Sequence, residues 1–509
     1  MEKLIVVILT LIIISSGCTS RGNLSKGAEK NVQVYVQLLM GDGTFYMADF
    51  HLNANGKVIN STLRPVLVYS GPPGLLYIQI VGWGYTWWGG NITLGTSYTT
   101  YLNSSGEYLV SLKLKRTEHG YSLEVDNKYT GYLGRNKPKK LVGGINITTI
   151  MKKFGLFEDY LEVERESHRL ASIELENYRK TGNISYLQMF RDLEYHQKLM
   201  KFLEERGKLT AVAARELLLD MKATVWYYEH YRKPGHKDLT LIFDNFSPYH
   251  ETILAGGHFP LPFVYYRARG FNLYPVSALH WAQIYYKRNE TKAFLNILGN
   301  LSEFVETGSL NNVKYALFKI YFNYQNSTVP WVSGYAQGLA AGLYALAYNM
   351  TGNKTYLGLA NLFMNSFKLP LNSSGFVENT TFGEWCLEYA YYPKQLVLNG
   401  HIICTQGVYY YWLVTGSRSA EKTFERLTES VARALPYFDL GNWSRYASIY
   451  NTASVFYHRL HIKLLVWLYV KTEKEVFLKY AKRWNEYLVN RNLKPENIQK
   501  LIEEARKDP

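Results

Sequence analysis

Two regimes of hydrophobic patterning divide the chain. From Val32 to about Gly134, β-branched and aromatic residues alternate with polar ones in VQVYVQLL, GTFYMADFHL, YLVSLKLKR and YSLEVDN, with Gly, Asn and Ser between them. Alternation sends successive side chains to opposite faces, so each run predicts a half-buried strand. Residues 31–137 are therefore expected to form a β-sandwich or barrel. From Ile147 onward the period lengthens. Apolar residues recur every three or four positions in SYLQMFRDLEYHQKLMKFLEERG, AVAARELLLDMKATVWYYEHYRK, VSALHWAQIYYKR, GLAAGLYALAYNMTGN and VFLKYAKRWNEYL, the spacing of an amphipathic helix. Several runs stop at Gly, Asn or a short polar turn, as helix C-termini do. No heptad persists, so no coiled coil is expected. Many medium helices on short turns fit an all-α, α/α-toroid domain over residues 147–505. The fold class is then multidomain α+β, a β-sandwich or barrel followed by a toroid with a cleft.

The N-terminus adds an address. Lys3 precedes the apolar run 4–14, and Ser15-Ser16-Gly17-Cys18 follows, the order of an export signal. The run is too short to span a bilayer comfortably. Small residues before Cys18 resemble a lipoprotein processing box, which makes residues 1–18 a signal peptide and Cys18 the lipidated residue. The polar stretch 19–30 (TSRGNLSKGAEK) reads as a linker. These features predict a protein anchored to the membrane by lipid on the extracellular face, or secreted, and leave no nucleic-acid role. Fifteen Asn-X-Ser/Thr sequons, from Asn23 to Asn442, agree with glycosylation at that address.

Composition refines this. With 47% hydrophobic and 19% charged residues a substantial core can form. The net charge of +15 favours an anionic partner, which outside the cell means an acidic polysaccharide or lipid headgroups. A homodimer is compatible with all of this. Besides Cys18 only Cys386 and Cys404 remain, and they either pair or stay as buried thiols. Trp83, Tyr85, Trp87 and Trp88 in GWGYTWWGG could stack on sugar rings, although packing against the sheet is the plainer reading. No HExxH, GxSxG elbow or nucleotide loop occurs, so neither metal nor cofactor is predicted.

Candidate chemistry concentrates in residues 384–461. EWCLEYAYYPKQLVLNG brings Glu388, Tyr389, Tyr391 and Tyr392 together, and NWSRYASIYNTASVFYHRLHI supplies Tyr446, Tyr457, His458 and His461. Phenols, imidazoles and a carboxylate are the groups that take a proton from carbon and return it.

Glu388-Tyr389 before a proline, VLNG at 397–400, LPYFD at 435–439, Tyr446, Tyr457-His458 and His461 resemble the C-terminal domain of D-glucuronyl C5-epimerases, as do SGYAQG at 333–338 and LYPVSALHWAQIYY at 273–286. The resemblance covers about 265–490. It implies conversion of D-glucuronate to L-iduronate within a polysaccharide. Tyr389 and Tyr457 would exchange protons at C5 from opposite faces, with Tyr446 and Glu388 assisting. Gln337 and Asn399 would lie in the substrate pocket, and His458 and His461 near it. One departure stands out. The family has Asp-Leu-Arg after the tyrosine at 446, whereas this chain has Ala447-Ser448-Ile449. Arg445, Arg459 or Lys394 would have to supply the missing cation.

Physically, C5 inversion needs two acid/base groups and something to offset charge on the substrate carboxylate. A tyrosine serving as base needs its pKa lowered by nearby positive charge. The rivals are a polysaccharide lyase, which shares C5 deprotonation, and a glycan-binding surface lipoprotein without chemistry. A glycoside hydrolase lacks a persuasive second carboxylate beside Glu388 and Glu384.

Overall fold

The computed structural model describes residues 31–38, 51–60, 65–85, 91–102, 105–117, 120–127, 130–134, 147–237, 239–242, 252–254, 261–324, 327–391, 394–449 and 452–509. The expected signal peptide, Cys18, the linker 19–30, Trp87, Trp88 and Tyr392 lie outside these residues.

The N-terminal strands are β1 Val32–Leu38, β2 His51–Ala54, β3 Lys57–Asn60, β4 Val66–Gly71, β5 Gly74–Tyr85, β6 Asn91–Leu102, β7 Gly106–Thr117, β8 Gly120–Val125 and β9 Gly131–Gly134. They form two open sheets, β4-β1-β7-β8 with β9 on β7, and β3-β2-β5-β6. Neither described sheet closes into a barrel. Val32, Val34 and Val36 of β1 bury their side chains in one cluster with Leu52, Ile78 and Ile80 of the second sheet. Asn55-Gly56 joins β2 to β3, both with positive φ (49° and 77°), as a two-residue hairpin turn requires.

Thirteen helices follow among the described residues: α1 Ile147–Lys153, α2 Phe157–Thr181, α3 Ile184–Glu205, α4 Ala211–His230, α5 Pro275–Lys287, α6 Thr291–Leu301, α7 Gly334–Thr351, α8 Lys354–Asn365, α9 Leu398–Thr415, α10 Arg418–Phe438, α11 Val455–Thr472, α12 Glu475–Asn490 and α13 Ile498–Lys507. Sequence punctuation sets their ends. Asn183, Thr210, Asn353, Ser417, Ser454 and Asn497 each accept a backbone N–H in the first turn. Gly182, Gly352 and Gly416 close α2, α7 and α9 in the left-handed conformation. No helix among the described residues is long and apolar enough to cross a membrane.

The expectation of an all-α region over 147–505 needs correction. Thr240–Ile242, Thr252–Leu254, Phe263–Tyr266 and Gly270–Leu273 form a four-stranded sheet, and Glu306–Leu310 with Val313–Leu317, Lys319–Ile320 with Trp331–Val332, and Val377–Thr380 with Gly383–Cys386 pair as two-stranded ones. None of these strands exceeds five residues, too short for a period of two to separate from helical spacing. The protein is thus a mixed α+β chain.

Between α7 and α9 the backbones touch. A Cβ at Gly342 would meet the Gly407 carbonyl oxygen at 2.5 Å, and one at Gly338 would meet Cys404 Sγ at 2.5 Å. Cys386 and Cys404 are buried free thiols, which decides their pairing.

Candidate active site

Hydrogen bonds hold residues 387–390 from both sides. Leu387 N–H donates to Phe376 O (2.8 Å), Gly334 N–H to Leu387 O (2.8 Å), and Ala390 N–H to Val332 O (3.1 Å). His401 in α9 stacks on Trp385 at 4.1 Å and accepts the Cys386 N–H at Nδ1 (2.9 Å), while Nε2 faces Leu427 O (3.0 Å). Burial lowers its pKa to about 4, so it is a neutral strut. Glu388 and Tyr389 project from this braced segment.

Tyr446 reaches the same place from another direction. Its segment lies against residues 396–398 through Ser448 N–H to Leu396 O (2.9 Å), Leu396 N–H to Ser448 Oγ (2.9 Å) and a Val397–Ala447 bridge. Tyr457 occupies the first turn of α11, whose N-cap is Ser454. The Tyr446 and Tyr457 ring centroids are 4.6 Å apart. The Tyr389 hydroxyl interacts with both Glu388 and Tyr446. Four side chains expected to carry chemistry thus converge from three stretches of chain.

Their electrostatics differ from the simplest expectation. Burial pushes the Glu388 pKa up to about 7, with the bond from Tyr389 opposing the rise. Burial, then the charge of Glu388, holds Tyr389 and Tyr446 above the ordinary phenol value. Neither phenol is primed to be a phenolate. Glu388 is the group in this cluster poised near neutrality, and its Oε2 has no hydrogen-bond partner. Gly400 makes room for it, since a Cβ there would overlap Glu388 Oε2. This is a physical reason for glycine in VLNG. The carboxylate lies against the first turn of α9, where the helix dipole favours its ionised form.

Aromatic side chains that the sequence did not single out wall this cluster. Tyr324 stacks on Tyr389 at 5.6 Å, and Trp331 lies 6.0 Å from Tyr389 and edge-on to Tyr391 at 5.3 Å. Tyr274, 6.3 Å from Trp331, is close enough to Glu388 for that charge to raise its pKa after burial. Among 44 tyrosines, nothing local marks Tyr274 or Tyr324. Tyr274 does sit within the LYPVSALHWAQIYY segment quoted above.

The remaining candidates take other positions. Gln337 is fully buried, and its amide bonds Phe318 N (2.9 Å), Phe318 O (2.9 Å) and Ser333 O (3.1 Å), so it braces α7. Asn399 is buried at the start of α9 with Oδ1 unpartnered. His458 and His461 are wholly buried and converge on Ser444. Arg459 pairs with Glu496 (2.6 Å) and Lys394 with Glu378 (2.7 Å). The Arg445 guanidinium lies 4.7 Å over the Tyr437 ring. Each of the three cations offered in place of the missing arginine is thus engaged with another residue. No group of three or more His, Cys, Asp or Glu among the described residues is placed to hold a metal ion.

Residues 311–486 match the family model of the D-glucuronyl C5-epimerase C-terminus. The upstream segment 273–286 falls outside that match. An uncharacterized protein of Methanocaldococcus jannaschii is 31% identical over 181 residues, 34% of this chain and 59% of that protein. The chain therefore spans about three-fifths of the relative's length. Among solved structures, a GH76 α-mannanase of Bacteroides thetaiotaomicron aligns with TM-score 0.34 and 16% identity over 47% of this chain and 66% of that one. A family 76 glycoside hydrolase from a bovine strain of the same species aligns with TM-score 0.23 and 10% identity over 81% and 92%. Neither structural likeness is close enough to bear on fold or activity.

Proposed function

We propose that this protein, with its D-glucuronyl C5-epimerase C-terminal match over residues 311–486, inverts C5 of uronate residues in an acidic extracellular or cell-surface polysaccharide. The observation that carries the reading is the convergence of Glu388 and Tyr389 with Tyr446 and Tyr457. In this scheme Glu388, working with Tyr389, accepts the C5 proton on one face, and the C–H electron pair moves into the adjacent carboxyl as an enediolate. Tyr457 delivers a proton to the opposite face, and the electron pair returns to C5. Tyr446 lies between them as a hydrogen-bond donor. A carboxyl with a pKa of about 7 suits general-base work near neutral pH better than a phenol held above its ordinary range. The aromatic wall supplies faces for sugar rings and limits water. The same proposal includes export, lipidation at Cys18, a β-sandwich at 31–137 and a toroidal arrangement of the helices.

Hydrogen exchange at C5 tests it. The purified protein, incubated with glucuronate-containing polymers in heavy water, should place deuterium at C5 and generate iduronate signals by NMR. Tyr389→Phe should abolish both, and Tyr457→Phe should abolish the iduronate signals. Chain cleavage with ultraviolet-absorbing unsaturated ends would identify a lyase instead, and binding without exchange on every polymer would defeat the reading.

A further inference from the structure

Ser444 stands two residues before Tyr446, and His458 directly follows Tyr457. The Ser444 side chain sits between two imidazoles, with Oγ 2.7 Å from His458 Nδ1 and 3.0 Å from His461 Nδ1. Its backbone N–H also points at His458 Nδ1 (3.2 Å), and its carbonyl accepts the Ala453 N–H (3.0 Å). Trp443 lies flat on the His458 ring at 3.6 Å, and its Nε1–H donates to Ala453 O (2.8 Å). Ser444 and both histidines are wholly buried. The segment carrying Tyr446 is therefore fastened to the helix carrying Tyr457 at Ser444.

The partners fix the direction of each bond. His458 Nε2 faces the Trp484 carbonyl (2.9 Å), which can only accept, so Nε2 carries the proton and Nδ1 is the acceptor. The close Ser444 hydroxyl then donates to His458 Nδ1. Its oxygen accepts from His461 Nδ1–H, leaving His461 Nε2 as a bare acceptor. That atom is buried without a partner. Burial holds the two imidazoles down to about 4 and about 3, His458 adding to the effect on His461. Both stay neutral through ordinary working pH, and the chain of donors does not reverse.

We infer that Ser444, clamped between His458 and His461, is a positioning residue that sets Tyr446 against Tyr457. On this reading the two histidines do not touch substrate. They hold the pair of phenols whose rings are 4.6 Å apart. A small displacement of reacting groups costs a large factor in rate, and here the displaced quantity is the relation between two proton donors. The consequence rests on the epimerase reading and is specific to it. Loosening the clamp should uncouple proton removal from proton return.

The test compares the full chain with Ser444→Ala and with Ser444→Thr, which keeps the hydroxyl. In Ser444→Ala, inversion at C5 should fall about 100-fold with KM changed less than about threefold, while C5 deuterium exchange with retained configuration falls less than about tenfold. Ser444→Thr should recover most of the inversion. Equal loss of exchange and inversion, tracking the fraction unfolded, would overturn the inference. Two readouts do not depend on activity. NMR of labelled histidines should find His458 protonated at Nε2 and His461 at Nδ1. A fluorotyrosine probe installed at position 446 should shift in Ser444→Ala and return in Ser444→Thr. Opposite tautomers, or an unmoved probe, would overturn the clamp. Wild-type protein without C5 exchange, but with these tautomers and this shift, would defeat the epimerase reading and leave the clamp standing.

Discussion

Two buried carboxyl groups, Asp192 and Glu388, are both pushed up to about 7 by burial, yet their surroundings differ. Asp192 in α3 accepts the hydroxyls of Tyr228 and Tyr265 (2.7 Å to Tyr265) and the Gly270 N–H (3.2 Å). It ties α3 to α4 and to the strand pair that follows. Glu388 has one oxygen without any partner, set against Gly400 in the first turn of α9. The pKa alone would name both as catalytic. The account of partners separates them, because a satisfied buried carboxyl is a strut and an unsatisfied one is available for reaction.

Substitution should break the symmetry in opposite senses. Glu388→Gln should lower C5 exchange by about 10³-fold, with stability changed by no more than about 1 kcal/mol, since Oε2 loses no partner. Asp192→Ala should do the reverse. It strands three donors and should cost about 3 kcal/mol in denaturant titration, with exchange per folded molecule altered only a few-fold. Gly400→Ala, which forces Glu388 off the first turn of α9, should reduce exchange by about tenfold with KM less affected. The smallest effect is in pH. Both carboxyls have folded pKa values above their unfolded ones, so their neutral forms favour the fold. That contribution is complete below the ordinary carboxylate range and is lost as pH rises through about 7. Buried neutral His401, His458 and His461 act in the opposite sense below the ordinary histidine range, so the prediction is a comparison. Between about pH 5 and 8 the melting temperatures of Glu388→Gln and Asp192→Asn should each fall less, or rise more, than that of the wild type. Catalysis runs the other way, rising with pH as Glu388 ionises.

The sequence revealed these two regions unequally. Glu388, Tyr389, Tyr446 and Tyr457 stand in short motifs, and the structure brings them together. Asp192 stands in an ordinary amphipathic run, where nothing indicates that Tyr228, Tyr265 and Gly270 will converge on it. The aromatic wall was hidden for a similar reason. Tyr274 and Tyr324 acquire meaning only through partners far along the chain. Helix C-termini were readable because their signal is local, as Gly352 illustrates. The brief strands of residues 240–386 were not, since their identity depends on a pairing partner that the pattern within one strand does not contain. His458 and His461 could be noticed but not interpreted, because Ser444 has no distinguishing mark of its own.

The helix caps have a further consequence. Asn183 and Asn353 begin α3 and α8 by accepting a backbone N–H at the side-chain oxygen, from Ser185 (2.9 Å) and Thr355 (3.0 Å). In each case the partner is the hydroxyl residue that completes an Asn-X-Ser/Thr triplet. A preference for asparagine before a helix, with serine or threonine two places on, writes that triplet into a chain with no reference to sugar attachment. At least two of the fifteen triplets therefore bear the mark of folding grammar. Because an attached glycan would occupy the amide nitrogen and leave the oxygen free to cap, the two uses of one side chain need not compete.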